Sequence, residues 1–193
     1  MKGTRNWILF RSTSVIDLVL LFFFLFSMNF CGKASEKMQD VGVGGDFTLV
    51  GPQEKKWTLS QNSKKVNLVF FGYMSCPDFC PMTLSKLKQV NEVLGEKQKD
   101  VQIIFVSVDS KRDSVDRLQT FVQYYVKNGI GVTGDKKDVD AVVKLYGASY
   151  SQNGQFIDHS TYLYLLDDKT KTRYLFRHAD PAKKIAEIIQ LLL

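Results

Sequence analysis

A run of apolar residues that leads directly into a pair of cysteines constrains the fold of this chain more than any other feature. Residues 66–73 (VNLVFFGY) show no alternation of polar and apolar side chains, which favours a central strand covered on both faces. Cys76 and Cys80 follow within the sequence CPDFCP, and an amphipathic helical pattern begins at Met82. The sequence therefore predicts an α/β fold with two thiols at a strand-to-helix junction.

The order of the remaining elements predicts the architecture. A second continuous apolar run predicts another buried strand, and apolar side chains at helical spacing predict helices before and after it. The predicted elements beyond the central strand are strands over 46–50, 57–59, 101–108, 161–166 and 172–176 and helices over 82–94, 114–127, 139–146 and 182–193. With right-handed crossovers, this order predicts a thioredoxin-like three-layer sandwich, in which a central mixed β-sheet is flanked by helices.

The composition is that of an ordinary globular domain. The chain has 193 residues, of which 45% are hydrophobic and 24% charged, enough to build one full hydrophobic core. The net charge of +6 is spread over scattered lysines, which is typical of a solvated surface; attraction to anionic lipid or to an acidic partner is the alternative. The sequence contains no array of aromatic and basic residues, so we do not expect nucleic acid as a partner.

The first 32 residues have the pattern of a targeting segment. Lys2, Arg5 and Arg11 precede an apolar run of 13 residues over 18–30. This run is shorter than the roughly 20 residues that a membrane-spanning helix needs. A basic start and a short apolar core are typical of an export signal. Residues 1–32 are therefore predicted to be an N-terminal signal or membrane anchor.

Three fates of this segment are open. Cys31 is a candidate for lipid attachment, Gly32-Lys33-Ala34 is a candidate cleavage site, and an uncleaved segment would serve as an anchor. Each fate places the rest of the chain on the periplasmic, extracytoplasmic side of the cytoplasmic membrane. Residues 33–45 are polar, rich in glycine and without periodicity, which indicates a flexible tether. The folded domain is therefore predicted over residues 46–193.

The cysteine pair can have three roles: exchange of a disulfide, binding of a soft metal ion, or simple filling of space. With Cys76 after a strand and Cys80 in the first turn of a helix, the thiols are close enough for a disulfide or a shared metal ion. The helix N-terminus favours a thiolate, and an exported compartment permits a disulfide. A purely stabilising disulfide is the least favoured role, because so short a loop adds little stability.

The residues predicted to face the cysteines favour metal binding over a generic redox motif. A thioredoxin-type motif has two residues between its cysteines and a cis-proline on the facing loop, whereas this chain has three residues between them. The facing loop, residues 154–160, contains no proline and carries His159. Two thiolates and one imidazole suit Cu(I), and also Cu(II) with added ligands. The other histidine, His178, is predicted to lie far from this loop.

Several separated motifs make the chain similar to the Sco/SenC family, copper-binding thioredoxin-like proteins that assist the assembly of cytochrome c oxidase. The resemblance covers roughly residue 45 to the C-terminus. Its motifs are FGY at 71–73, CPDFCP at 76–81, FVSVD at 105–109 followed by Arg112-Asp113, GVTG at 131–134 and DHS at 158–160. The resemblance implies that Cys76, Cys80 and His159 are the copper ligands, for Cu(I) or Cu(II). It also implies that the binuclear copper site (CuA) of cytochrome c oxidase is the destination.

Three acidic residues near these motifs are secondary candidates for the site. Asp78 lies between the cysteines, where an acid tunes the charge at the metal, contacts a partner or caps the helix. Asp109 ends a central strand at the same edge, where it orders the site or forms a turn. Asp158 precedes His159, and it orients that histidine, contacts a partner or is an ordinary surface acid.

The main functional hypothesis is a membrane-associated, extracytoplasmic copper metallochaperone rather than a true enzyme. The expected partners are the copper-site subunit of cytochrome c oxidase, other copper chaperones and thioredoxin-like reductases. The alternative is a thiol–disulfide oxidoreductase, in which Cys76 and Cys80 are a redox-active pair acting on cysteines of the oxidase subunit. Redox signalling is a further alternative. A peroxidase of the same fold is disfavoured, because such enzymes depend on a single peroxidatic cysteine.

Overall fold

A five-stranded mixed sheet forms the centre of the protein. The computed structural model describes residues 38–193. Its strands are β1 (Thr48–Gly51), β2 (Lys55–Thr58), β3 (Val66–Gly72), β4 (Val101–Ser107), β5 (Gly129–Val132), β6 (Tyr150–Asn153), β7 (Phe156–His159), β8 (Leu163–Asp167) and β9 (Thr172–Phe176). Its helices are α1 (Leu59–Asn62), α2 (Phe79–Leu94), α3 (Val115–Tyr125), α4 (Lys136–Leu145) and α5 (Ala182–Gln190), with 3₁₀ turns at Pro52–Glu54 and Gly95–Asp100.

The central sheet confirms the predicted fold class. Its order is β5–β4–β3–β8–β9, with β3, β4 and β5 parallel and with β8 antiparallel to both β3 and β9. Helix α2 connects β3 to β4, and α3 connects β4 to β5. Every residue of β3 and β4 is buried, as expected for apolar strands covered on both faces. The result is the thioredoxin-like sandwich that the order of elements predicts.

Several short elements were not predicted from the sequence, among them strand β5 and the hairpin β6–β7. Strand β5 is rich in glycine, and a Cβ at Gly131 would lie only 2.6 Å from the Leu118 side chain, so the close packing of α3 requires glycine there. The hairpin β6–β7 falls partly on residues 154–160, which were predicted as a loop. That prediction was wrong for residues 156–159, because this mostly exposed strand lacks the apolar alternation of a half-buried one.

An aromatic cluster joins α4 to the central sheet. Tyr146 packs edge-on against Phe71 on β3 and against Tyr164 on β8, with ring centroids 5.6 and 5.1 Å apart, and Phe47 packs against its other side at 5.8 Å. Edge-to-face contacts of this kind are favoured by the ring quadrupoles. The Tyr146 hydroxyl donates a hydrogen bond to the Gly45 carbonyl oxygen at 2.8 Å, so the buried phenol is satisfied.

Residues 38–45 lie along the domain, and we call them the N-terminal strap. Two backbone hydrogen bonds hold the strap: the Val41 N–H donates to the Thr172 carbonyl oxygen, and the Gly44 N–H donates to the Leu145 carbonyl oxygen. The Arg173 guanidinium also donates to the Met38 carbonyl oxygen, and Asp40 forms an ion pair with Lys171. A Cβ at Gly44, where φ is +83°, would lie 2.5 Å from the Thr172 hydroxyl oxygen. The described part of the predicted tether is thus in hydrogen-bonded contact with the domain.

The predicted signal or anchor, residues 1–32 with Cys31, lies outside the described residues, as does the first part of the predicted tether. Among residues 38–193, no helix is both long enough and apolar enough to cross a membrane.

The topology brings three loops to one edge of the sheet. Strands β3 and β4 run parallel, so the segments that follow them emerge at the same edge. Strand β8 runs antiparallel to β3, with Leu163 opposite Phe70, so the segment that precedes β8 arrives at that edge too. At the other edge, Val66 lies opposite Asp167, next to the β8–β9 turn that the strap contacts. Cys76, Asp109 and His159 are therefore expected to lie near one another.

Candidate metal centre

The two cysteines lie where β3 gives way to α2. The Cys76 N–H donates to the Tyr73 carbonyl at 3.3 Å, which turns the chain back after the strand. Helix α2 begins at Phe79 and carries Cys80 in its first turn, followed by Pro81, whose missing N–H would have no helical partner there. Both thiols are free and buried, with 7% of Cys76 and 1% of Cys80 exposed. The sequence prediction for their placement agrees with this geometry.

His159 completes a group of three ligand atoms. The sulfur atoms of Cys76 and Cys80 and one ring nitrogen of His159 all lie within 4.8 Å of one another. The Cys80 Sγ and His159 Nε2 atoms are 3.7 Å apart. These separations approach twice the bond of about 2.0–2.3 Å between a metal ion and a nitrogen or sulfur ligand. A single soft ion can therefore bridge all three with small side-chain movements.

The backbone fixes which nitrogen of His159 faces the thiols. The Nδ1 atom lies 3.0 Å from the Ser160 carbonyl oxygen. A carbonyl can only accept, so Nδ1 carries the proton in the neutral imidazole and Nε2 carries the lone pair. A carbonyl partner of this kind is the usual second support of a metal-binding histidine. The lone pair of His159 is thus oriented toward the cysteines before any metal arrives.

The two thiols have opposite acidities. Hydrogen bonds with the Cys80 thiol, with the His159 ring and with the backbone N–H groups of Cys80 and Asp78 lower the pKa of the Cys76 thiol to about 4, although burial opposes this. The hydrogen bond to Cys76, burial and the charge on Cys76 raise the pKa of the Cys80 thiol far above its usual value. In the metal-free protein, Cys76 is therefore the thiolate at neutral pH, and Cys80 holds the proton.

The three secondary acids have different surroundings. The Asp78 side chain is exposed and makes no hydrogen bond to the start of α2. The Asp158 carboxylate accepts a hydrogen bond from the Asn153 amide at 3.1 Å across the hairpin, while Ser160 supplies the contact to the His159 ring. Asp109 is 7% exposed and forms an ion pair with Arg112. Of the three, only Asp109 belongs to a buried network at the edge of the site.

The structure adds a buried acid that sequence reasoning missed. Asp113 is 2% exposed, and its Oδ2 atom accepts hydrogen bonds from the Met74 N–H at 2.9 Å and from the Ser107 hydroxyl at 2.6 Å. Burial raises the pKa of its carboxyl group. Asp113 thereby joins the loop before Cys76 to the end of β4. Its place in the Arg112-Asp113 motif was a signal, but nothing in the sequence marks it as buried.

Two ring side chains lie beside the site. Tyr73 is buried in the core, as predicted; its hydroxyl also accepts a hydrogen bond from the Ile157 N–H at 3.2 Å, and its ring lies edge-on to His159 with centroids 5.9 Å apart. His178, predicted to lie far from residues 154–160, packs edge-on against Phe79 with centroids 4.8 Å apart. The turn after β9 therefore lies beside the start of α2.

A groove of about 300 Å³ is lined by two of the three ligands, Cys76 and His159. Pro77 and Phe79 line one side of this groove, and Phe156 and Asp158 line the other. Phe79 and Phe156 are each nearly half exposed, at 46% and 45%. The site therefore opens to the surface through a mainly apolar entrance, which suits close approach of another protein to the ligands.

The sequence is similar to that of a known protein family and of two of its relatives. The SCO1/SenC family model matches residues 19–193. An SCO2-like protein of Rickettsia felis is 28% identical over 166 residues, which is 82% of this chain and 81% of that protein. Protein SenC of Rhodobacter capsulatus is 36% identical over 132 residues, which is 66% of this chain and 60% of that protein.

Two solved structures have folds similar to that of this chain. ScoI of Arabidopsis thaliana, a crystal structure with copper bound, has a TM-score of 0.73 and 26% identity, and the match covers 78% of this chain and 98% of that one. The apo Sco1 protein of Thermus thermophilus, solved in solution, has a TM-score of 0.70 and 30% identity, with 80% of this chain and 95% of that one covered. The motifs, the fold and these matches together show that the chain belongs to the SCO1/SenC family.

Proposed function

We propose that this protein binds one copper ion through Cys76, Cys80 and His159 and delivers it to a recipient protein. The observation that carries the proposal is the convergence of two thiols and one imidazole nitrogen within 4.8 Å. Thiolates select Cu(I), and an imidazole is compatible with either oxidation state of copper. Copper bound to ScoI of Arabidopsis thaliana, a structural neighbour above 25% identity, supports the choice of metal.

Loading requires one proton to leave the site. Cys76 is already a thiolate, and His159 presents the lone pair of Nε2. Cys80 holds its proton, so copper must displace that proton before the second thiolate can bind. Exchange with a disulfide of a partner, which takes up two electrons and becomes two thiolates, would convert Cys76 and Cys80 to a disulfide, remove both sulfur ligands and release the metal. The site therefore retains copper when reduced and yields it when oxidised.

The recipient and the location are inferred from family membership. We place the domain on the extracytoplasmic side of the cytoplasmic membrane, held there by residues 1–32, with residues 46–193 as the copper-binding domain. The resemblance to Sco/SenC proteins supports the copper-site subunit of cytochrome c oxidase as recipient, with its CuA centre as destination. The apolar entrance beside Phe79 and Phe156 supports direct docking of such a subunit.

Copper transfer tests this function directly. The copper-loaded protein is mixed with the metal-free oxidase subunit, whose cysteines have been reduced, and the copper content of each protein is measured after separation. We expect copper to leave this protein and to appear in the subunit. Copper that stays with the protein over the whole reaction, although the subunit accepts copper from a small-molecule donor, would contradict delivery.

A second function, thiol–disulfide exchange, is favoured by the unequal acidities of the two thiols. The Cys76 thiolate would attack a disulfide of the partner, and one partner sulfur would leave as a thiolate. Cys80 would then lose its proton and attack Cys76, which forms the Cys76–Cys80 disulfide and releases the second partner thiol. Two electrons pass to the partner. The 300 Å³ groove gives a partner disulfide access to Cys76.

The alkylation rate of Cys76 is expected to depend on pH as that of a strongly acidic thiol. Only the thiolate reacts, and the pKa of Cys76 is lowered to about 4. The rate with iodoacetamide should therefore be nearly constant from neutral pH down to about pH 5 and should fall as the pH drops through 4. Peptide mapping by mass spectrometry identifies the modified cysteine.

The Cys80→Ala variant is the matched control for this profile. It removes the side chain that donates to Cys76, so the midpoint should move toward the ordinary cysteine value of about 8.5. A wild-type rate that keeps rising between pH 7 and 9 would show that Cys76 is an ordinary thiol.

A further inference from the structure

The hairpin that carries His159 is not part of the central sheet. Within the part of the chain that the structure describes, β6 and β7 pair only with each other. Ile157 is the only fully buried residue of these two strands. At the base of the hairpin, the Ser160 N–H donates to the Ser149 carbonyl, and the Tyr150 hydroxyl donates to Asp140. The remaining length of the hairpin depends on a few further contacts.

Two of those contacts come from loops at the metal-site edge. The Arg112 Nη1 atom donates to the Gln155 carbonyl oxygen at 3.0 Å, directly ahead of β7. The Tyr73 hydroxyl accepts from the Ile157 N–H at 3.2 Å, two residues before His159. The Tyr73 residue itself is only 2% exposed, so its position is fixed by the core. The strand that carries the imidazole ligand is thus held from outside the hairpin.

Arg112 connects these contacts into one unit. Its Nε atom is bound to the Asp109 carboxylate, and the Asp109 residue is 7% exposed. Its guanidinium carbon lies 5.8 Å from the centre of the Tyr73 ring, within the range of a cation–π contact. We call Asp109, Arg112 and Tyr73 the hairpin latch. The latch residues follow the ends of β3 and β4, and β3 is also the strand that leads into the cysteines.

We propose that Arg112 is a positioning residue for the imidazole ligand: it holds the hairpin so that His159 Nε2 stands over the two thiols. This inference rests on the copper-binding function proposed above. Cys76 and Cys80 are placed by β3 and α2. His159 is held on one side by its pairing with Tyr150 at the base of the hairpin and on the other by the latch contacts at Gln155 and Ile157. The nitrogen ligand is therefore the one of the three whose position depends in part on Arg112.

The test compares Arg112→Met with Lys111→Met, which removes the same charge from the adjacent exposed residue. In the metal-free protein, Arg112→Met is expected to speed hydrogen exchange of the Ile157 amide by roughly tenfold, since one charge-assisted hydrogen bond is lost. In the Cu(II)-loaded protein, the imidazole nitrogen coupling in the electron paramagnetic resonance spectrum should weaken. Cu(I) should still be bound by the two thiolates, and Lys111→Met should behave as wild type in all three measurements.

A second variant keeps the inference open to refutation. Tyr73→Phe removes only the hydroxyl that accepts from Ile157, so it should change amide exchange and the imidazole signal in the same direction as Arg112→Met. Unchanged exchange and an unchanged nitrogen signal in Arg112→Met would overturn the inference, provided that wild type binds copper through His159. If wild type binds no copper, the proposed function fails instead, and the exchange data still report on the latch.

Discussion

Replacing Cys76 and Cys80 together by serine is expected to abolish copper binding by this protein. The two sulfur atoms are two of the three ligand atoms that lie within 4.8 Å of one another. A serine hydroxyl has nearly the same shape, but it stays protonated at neutral pH and is a hard ligand that Cu(I) does not favour. The affinity should fall by more than about 100-fold, the upper range for the loss of a mere supporting residue around a metal site.

The measurement is copper per chain after purification and dialysis under reducing conditions. Cys31→Ser is the matched control, because Cys31 is not one of the three proposed ligands, and this variant should retain a full equivalent of copper. His159→Ala should weaken copper binding less than the double variant, since both thiolates remain. Full copper retention by the double serine variant would contradict the proposed function.

Gly72→Ala is expected to disturb the site and the core at once. A Cβ at this position would lie 2.5 Å from the Cys80 Sγ atom and 3.1 Å from two ring carbons of Phe105. Both neighbours are fully buried, so neither can move freely. The free energy of unfolding should fall by about 1–3 kcal/mol, the usual cost of an added methyl group in a packed core. Because Cys80 must shift, the copper affinity should fall too, by roughly 10–100-fold.

Chemical unfolding and copper titration measure the two effects. Gly134→Ala is the control, because its Cβ would meet the end of the Leu49 side chain at 3.2 Å and the Asp138 Cβ atom at 3.8 Å, with no ligand atom within 4 Å. That variant should leave copper binding unchanged and alter stability less. Equal stabilities of Gly72→Ala and wild type would mean that the Cys80 thiol has room to move, contrary to its packing in the structure.

The sequence was sufficient for the part of the fold that local patterns determine. Strands β3 and β4 are continuous apolar runs, and α2 has a regular apolar face, so their type and order follow from periodicity. The position of the cysteines follows from the junction between β3 and α2. The approach of His159 follows from the antiparallel direction of β8, which returns the chain to the same edge.

The rest of the site depends on contacts that no local pattern reveals. The hairpin β6–β7 is largely polar and exposed, and it is placed by Tyr73 and Arg112, which are distant in sequence. Asp113 looks like a loop acid in the sequence and becomes a buried acceptor only when β4 and the cysteine loop meet. Long-range contacts of this type overrule local propensity, and they require the fold to be known first.

The N-terminal strap sets how much free chain precedes the folded domain. The strap meets the domain beside the β8–β9 turn, at the edge of the sheet opposite the cysteines. If the eight residues 38–45 were released from the domain, the free chain ahead of it would lengthen by up to about 26–29 Å. That length is close to twice the radius of gyration expected for a domain of this size. Release of the strap would therefore give the domain, with its three candidate ligands, more freedom to turn relative to the chain that precedes it.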